Sequence, residues 1–179
     1  MIVLSGASAS GKTEVAKMLA KKYGIVKVIT TTTRNLRVGE VNGKDYFFVS
    51  KEEFLKMKEN EEFVETTVYN GNFYGSLKRE IADTKCIVAD PQGLKAYSEI
   101  KNKNIVTFFL NAEEETRMKR MLERGDKPED AAKRIANDRE VFKLENFTKV
   151  DFHINSETQN VEEVCDEVYR LYNEKLNNK

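Results

Sequence analysis

Histidine is almost missing from this chain: His153 is the only one in 179 residues. It alternates with Phe152 and Ile154 in a strand-like stretch and reads as a strand residue, so chemistry built on a histidine base has little to work with. Cysteine is nearly as scarce. Cys86 opens an apolar run, and Cys165 shares the helical stripe of Val161, Val164, Val168 and Leu171; neither a disulfide framework nor a zinc site is expected from them. Net charge is absent too, because 30 basic and 30 acidic residues cancel. Without a long basic block, a nucleic-acid polymer is not an expected partner. No apolar run approaches a membrane span, and no basic segment precedes the first apolar residues, so the expectation is a cytoplasmic chain with no membrane partner. Repeats and disordered linkers are missing as well. The length suits one α/β domain with small inserted parts.

What is present stands near the start. Gly6-Ala7-Ser8-Ala9-Ser10-Gly11-Lys12-Thr13 fits G-x-x-x-x-G-K-[ST]. Met1 to Ser5 reads as a buried strand before it, and the apolar spacing of Val15, Met18, Leu19 and Tyr23 reads as a helix after it, closed by Gly24. Strand, glycine loop and helix together form the setting of a phosphate-binding loop. Backbone N–H groups of such a loop converge on one anion, and the helix dipole adds to them. Lys12 would reach the outer phosphates of ATP, and the Thr13 hydroxyl would hold Mg²⁺. An ordinary turn is the competing reading. Phosphoryl transfer between phosphates also needs no histidine, since the nucleophile is already an anion.

Strand-like runs recur at Ile2–Ser5, Ile25–Ile29, Cys86–Ala89, Ile105–Leu110 and Phe152–Asn155, most of them followed by helical patterns. Asp90-Pro91 suits the start of a helix through about Lys101. Asn111 is a candidate cap for Glu113–Arg124, Pro128 opens a helix through about Glu145, and Thr158 to Lys175 forms the last. The alternation predicts a parallel sheet with helices on both faces. Two segments break the rhythm. Residues 31–83 read mostly as strands, at Asp45–Val49, Phe63–Tyr69 and Phe73-Tyr74, with an Asn70-Gly71 turn and a capping box at Ser50–Glu53. Residues 117–147 are charged and rich in Met and Arg.

The first break carries Thr30-Thr31-Thr32-Thr33-Arg34-Asn35-Leu36-Arg37, then Gly39 to Val49, Phe63-Val64-Glu65 and Asn70 to Ser76. With the loop, these motifs resemble the guanylate kinase family over nearly the whole chain. The resemblance implies a P-loop NTPase fold, three-layered α/β/α. Residues 1–30, 84–116 and 148–179 would form the core, 31–83 a β-rich GMP-binding subdomain and 117–147 a helical lid. It implies transfer of the γ-phosphoryl group of ATP to GMP with Mg²⁺; a monomer is possible. Arg34, Arg37, Tyr46 and Tyr74 would hold the GMP phosphate, since arginine forks match phosphate oxygens. Glu65 would read guanine, whose N1–H and N2–H₂ donate side by side. Thr30, Ser76 and Asp90 would complete that pocket, and Asn155 would meet the adenine of ATP. Arg124 and Arg134 would close over the transferring group beside Lys12 and Arg34, with Arg120 and Arg139 read as solvated helix residues.

The chain departs from the family pattern in several places. The family has proline where Ala7 stands and glycine at Ala9, an exchange that costs little unless the position needs positive φ. Val88 replaces the first aspartate of Asp-x-Asp, and the lid is one residue short. Two other readings fit parts of the pattern: a related P-loop kinase with a different acceptor, and a non-catalytic guanylate-kinase-like interaction module. Intact Lys12-Thr13 speaks against the second.

Overall fold

A computed structural model describes residues 1–142 and 149–178. In chain order the elements are β1 (Ile2–Ser5), α1 (Lys12–Tyr23), β2 (Val26–Lys27), β3 (Thr31–Thr32), β4 (Phe47–Phe48), α2 (Lys51–Glu59), β5 (Phe63–Tyr69), β6 (Asn72–Leu77), β7 (Lys85–Val88), α3 (Pro91–Glu99), β8 (Val106–Asn111), α4 (Glu114–Glu123), α5 (Pro128–Val141), β9 (Phe152–Asn155) and α6 (Val161–Asn177). The end of the helix expected to run to Glu145, and residues 143–147 of the expected lid, lie outside the described residues.

Five strands form a parallel sheet in the order β2-β7-β1-β8-β9. Alternation along β1 explains its two-sided burial. Ile2 and Leu4 pack with Val15, Leu19, Phe108 and Val168 under α1 and α6, while Met1 and Val3 pack with Ile87, Leu94 and Tyr97 under α3. Cys86 and Cys165 are buried free thiols in the first of these cores. Burial pushes both up to about 11. The second sheet has the order β4-β3-β6-β5 and its own small core of Phe54, Phe63 and Leu77. Its hairpin turns at Asn70 (φ +48) and Gly71 (φ +75), both left-handed as a tight two-residue turn demands, and this sets Glu65 opposite Ser76 and Thr67 opposite Tyr74.

Helix ends differ from expectation in two places. Asn111 is the last residue of β8, paired with Asn155, and Glu113 takes the N-cap position of α4 without a side-chain cap. The last helix starts later than Thr158, at a capping box between Asn160 and Glu163. Among the described residues no helix is long and apolar enough to cross a membrane.

Candidate active site

The parallel strands carry the loop Gly6–Gly11 at the carboxyl end of β1, the edge where open α/β sheets bind ligands. Gly6 has φ +142, and a Cβ there would lie 2.3 Å from the Leu110 carbonyl, so only glycine fits. Ala9 takes φ +60: the alanine that departs from the family pattern stands where the backbone is left-handed. Gly11 (φ +97) occupies the N-cap position of α1 and offers no side-chain cap, which leaves first-turn N–H groups for an anion. Lys12 Nζ reaches back to donate to the carbonyls of Gly6 and Ala7, 2.7 Å each.

Burial pushes the Lys12 ammonium down to about 8, the Asp138 carboxylate opposing and the Arg117 guanidinium adding to the effect. A cation is lost when pH passes its pKa, so binding of a phosphate anion at Lys12 is expected to weaken as pH rises through about 8. A bound anion favours the ammonium, so the loss moves to higher pH once the site is filled. A pH profile of binding checks this, and Lys12→Arg, charged throughout, should lack the inflection.

Two cavities meet at Lys12. One, of about 570 Å³, lies between the start of α1, Arg120 and Arg124 on one side and Ser156, Gln159 and Asn160 on the other. Asn155 is not among its lining residues; its Oδ1 accepts from Glu157 N–H at 2.8 Å. The other, of about 1200 Å³, runs from Gly6, Ser8 and Lys12 past Val88 and Asp90 to Gln92 and Asp138.

On the second sheet, the Arg34 guanidinium donates to Glu40 Oε1 at 2.7 Å and lies over the Tyr46 ring, 5.4 Å from its centroid; the Tyr46 and Tyr74 rings meet edge to face at 6.2 Å. These three residues are brought together. Arg37 is exposed, its backbone N–H donating to Glu40 Oε2 at 2.8 Å. Thr30 pairs through its carbonyl with Phe47 N–H. Glu65 Oε1 accepts from Ser76 Oγ at 2.8 Å. Burial, with the Asp90 charge adding, raises the Glu65 carboxyl above the ordinary range. Asp90 caps α3 by accepting from Gly93 N–H at 2.8 Å. This helix start lies close to β5: a Cβ on Gly93 would sit 3.9 Å from Glu65 Cγ, an ordinary contact, and 3.3 Å from Ala89 Cβ.

The arginines at the far side are engaged with one another's neighbours. Arg124 forks onto Asp126 at 2.7 and 3.0 Å, and Arg134 Nη1 is 4.0 Å from the same carboxylate. Arg120 is not a solvated helix residue: it donates to the carbonyls of Ala9 (3.3 Å) and Ser156 (2.6 Å). Arg139 does face solvent, on Glu114. Three residues to which the sequence reading gives no role belong here. Glu40 holds Arg34, and the Arg117–Asp138 pair braces the loop at Ser8. Arg117 and Asp138 sit at helical charge positions that look like surface, so only their burial sets them apart.

Comparison with known proteins agrees with this geometry. The sequence profile of the guanylate kinase family matches residues 1–175. The guanylate kinase of Anaplasma phagocytophilum is 33% identical over 181 residues, covering 96% of this chain and 84% of that protein. That of Fusobacterium nucleatum is 32% identical, covering 96% and 94%. The crystal structure of the Anaplasma phagocytophilum guanylate kinase superposes with a TM-score of 0.61 at 29% identity, over 98% of this chain and 85% of that one. A phosphate loop on a parallel sheet, joined to a second sheet that gathers Arg34, Tyr46 and Tyr74, together with a family profile over almost the full length, makes this chain a member of the guanylate kinase family.

Proposed function

We propose that the chain transfers the γ-phosphoryl group of ATP to GMP, giving ADP and GDP, with the residues above in the following roles. An oxygen of the GMP phosphate bonds to the γ-phosphorus as the bond to the bridging oxygen breaks, and that electron pair stays on ADP. Little covalent chemistry falls to the protein. Its work is to place two polyanions end to end and to offset their charge.

The loop N–H groups and Lys12 hold the phosphates of ATP, and Lys12 exchanges its two carbonyl partners for phosphate oxygens. Arg34 and Arg37, with the Tyr46 and Tyr74 hydroxyls, hold the acceptor phosphate; Arg34 leaves Glu40 to do so. Glu65 accepts from guanine N1–H and N2–H₂ while Ser76 keeps its second oxygen oriented, and Thr30 and Asp90 border the base. Arg124 and Arg134 turn from Asp126 toward the transferring group as the Gly125 end of the α4–α5 hairpin closes, its base staying on the loop through Arg117 and Asp138; closure excludes water from the reaction. Among the described residues no cluster of three metal-binding side chains forms. Thr13, exposed beside Lys12, offers a hydroxyl oxygen that would help hold Mg²⁺. When bound, that ion would neutralise phosphate charge.

One observation supports the reading: Asp90, which caps α3, borders the cleft that contains Ser8 and Lys12, and the same helix start lies against Glu65, whose Cγ would be 3.9 Å from a Cβ on Gly93. A phosphate loop and a base-reading carboxylate flanking one helix start are what the reading requires. A coupled assay of ADP release over GMP, dGMP, AMP, CMP and UMP tests it. GMP is expected to lead AMP, CMP and UMP by two orders of magnitude or more, about what an unpaired buried carboxylate imposes. Absence of GMP-dependent ADP release would sink the reading.

A further inference from the structure

The α4–α5 hairpin grips the phosphate loop where the loop bends least willingly. Asp138 on α5, 7% exposed, accepts from Ser8 N–H through Oδ2 at 2.8 Å and from Ser8 Oγ through Oδ1 at 3.1 Å. Arg117 on α4, 5% exposed, lies 2.7 Å from the same Oδ2 and donates to the Ser8 carbonyl at 3.3 Å. Its Nε is fixed by the Ala112 carbonyl at 3.2 Å. Every polar group of Ser8 is therefore held by one buried ion pair. The next residue is Ala9, in the left-handed region at φ +60, with its methyl against Met121, Ala131 and Ile135 and its carbonyl on Arg120.

A left-handed alanine resists the shape the loop needs. Without restraint on either side, the chain would relax at Ala9 and its N–H groups would cease to converge. We propose that Asp138, paired with Arg117, is a positioning residue for ATP, acting through Ser8 to hold the phosphate loop in its anion-binding shape against the bend at Ala9. The pair stays in place when nucleotide binds. The Arg117 charge, 2.7 Å away, offsets part of the carboxylate's repulsion of phosphate. The inference rests on ATP binding at Gly6–Thr13, as proposed above.

The test compares Asp138→Asn with the parent chain, measuring the Kd of ATP alone and of GMP alone by calorimetry, and KM and kcat in turnover. ATP Kd and KM are expected to rise about tenfold, the scale of one lost charge-assisted hydrogen bond, with GMP Kd unchanged and kcat little changed. In an Ala9→Gly background, where the bend is no longer resisted, the same substitution should cost ATP about twofold or less. The double variant Arg117→Met/Asp138→Leu leaves no unpaired buried charge and guards against misfolding; it should fold and show the same weakened ATP binding. Unchanged ATP affinity in folded variants would reduce the pair to a brace. Tighter ATP binding would make Asp138 a competitor of phosphate, and an equal penalty in both backgrounds would separate it from Ala9; each overturns the proposal. Failure of the underlying reading looks different, since the parent chain itself would then bind no ATP.

Discussion

Lys12→Met lowers kcat by roughly 10³-fold or more while the fold survives: that is the largest effect expected here, on the scale of removing a preorganised charge from a transition state. In the proposed reaction a new bond forms between two anions, and Lys12 would be the cation that the loop itself supplies at the outer phosphates. Methionine keeps most of the length of the side chain and removes the charge with its N–H donors. In the folded protein Lys12 donates to the Gly6 and Ala7 carbonyls, and losing those bonds costs about 1–3 kcal/mol. Relief of a desolvated ammonium offsets part of that cost. Circular dichroism and thermal melting should therefore show a native fold, with Tm moved by no more than about 5 °C. Single-turnover measurement with saturating ATP separates the chemical step from binding. A variant with normal turnover would remove Lys12 from the mechanism.

Glu65→Gln is the second. An amide keeps the shape of the carboxylate but replaces one acceptor by a donor. Facing guanine, which offers donors at N1 and N2, the glutamine must set N–H against one of them in either orientation of its amide. kcat/KM for GMP should fall roughly 10³-fold, about 4 kcal/mol, as expected where a buried polar contact is left unmatched. Turnover with AMP should change far less, so the ratio of the two substrates is the decisive readout. A fall common to both acceptors would mean that Glu65 supports the sheet rather than reading the base. Ser76 lies directly opposite on β6, and its bond to Glu65 makes a purely local perturbation the simplest outcome.

Much of this was legible because local rules and tertiary packing agree. The buried strand Ile2–Ser5 and the hairpin strand Phe63–Tyr69 have the bounds that alternation predicts. Where an element ends was less legible, because pairing decides it. β2 shrinks to Val26–Lys27 since it lies at the sheet edge and pairs with β7 alone. Asn111 looks like a helix cap and instead continues β8, because β9 offers it a partner in Asn155. At the site, residues with a chemical signature stood out, such as the glycine loop and the Arg34–Arg37 stretch. Glu40, Arg117, Arg120 and Asp138 did not. Each resembles a solvated charge, and what distinguishes it is a contact formed by folding: Asp138 meets a loop 130 residues away. The Ala9 departure illustrates the same limit. Its cost depends on φ, and the sign of φ appears only with the backbone in place.

The Asn70-Gly71 turn has a bearing on substrate choice. Tyr74 and Ser76 are two residues apart on β6, so they share a face, roughly 7 Å apart; in the proposed site one serves the acceptor phosphate and the other the base. That partition depends on strand register alone. A slip of one residue would carry both to the opposite face and leave Glu65 without its partner. An insertion at the turn could thus erase recognition of GMP with every recognition residue intact. In the proposed site the choice of acceptor is inherited from how a two-residue turn closes, and it can be lost far from any atom that touches the nucleotide.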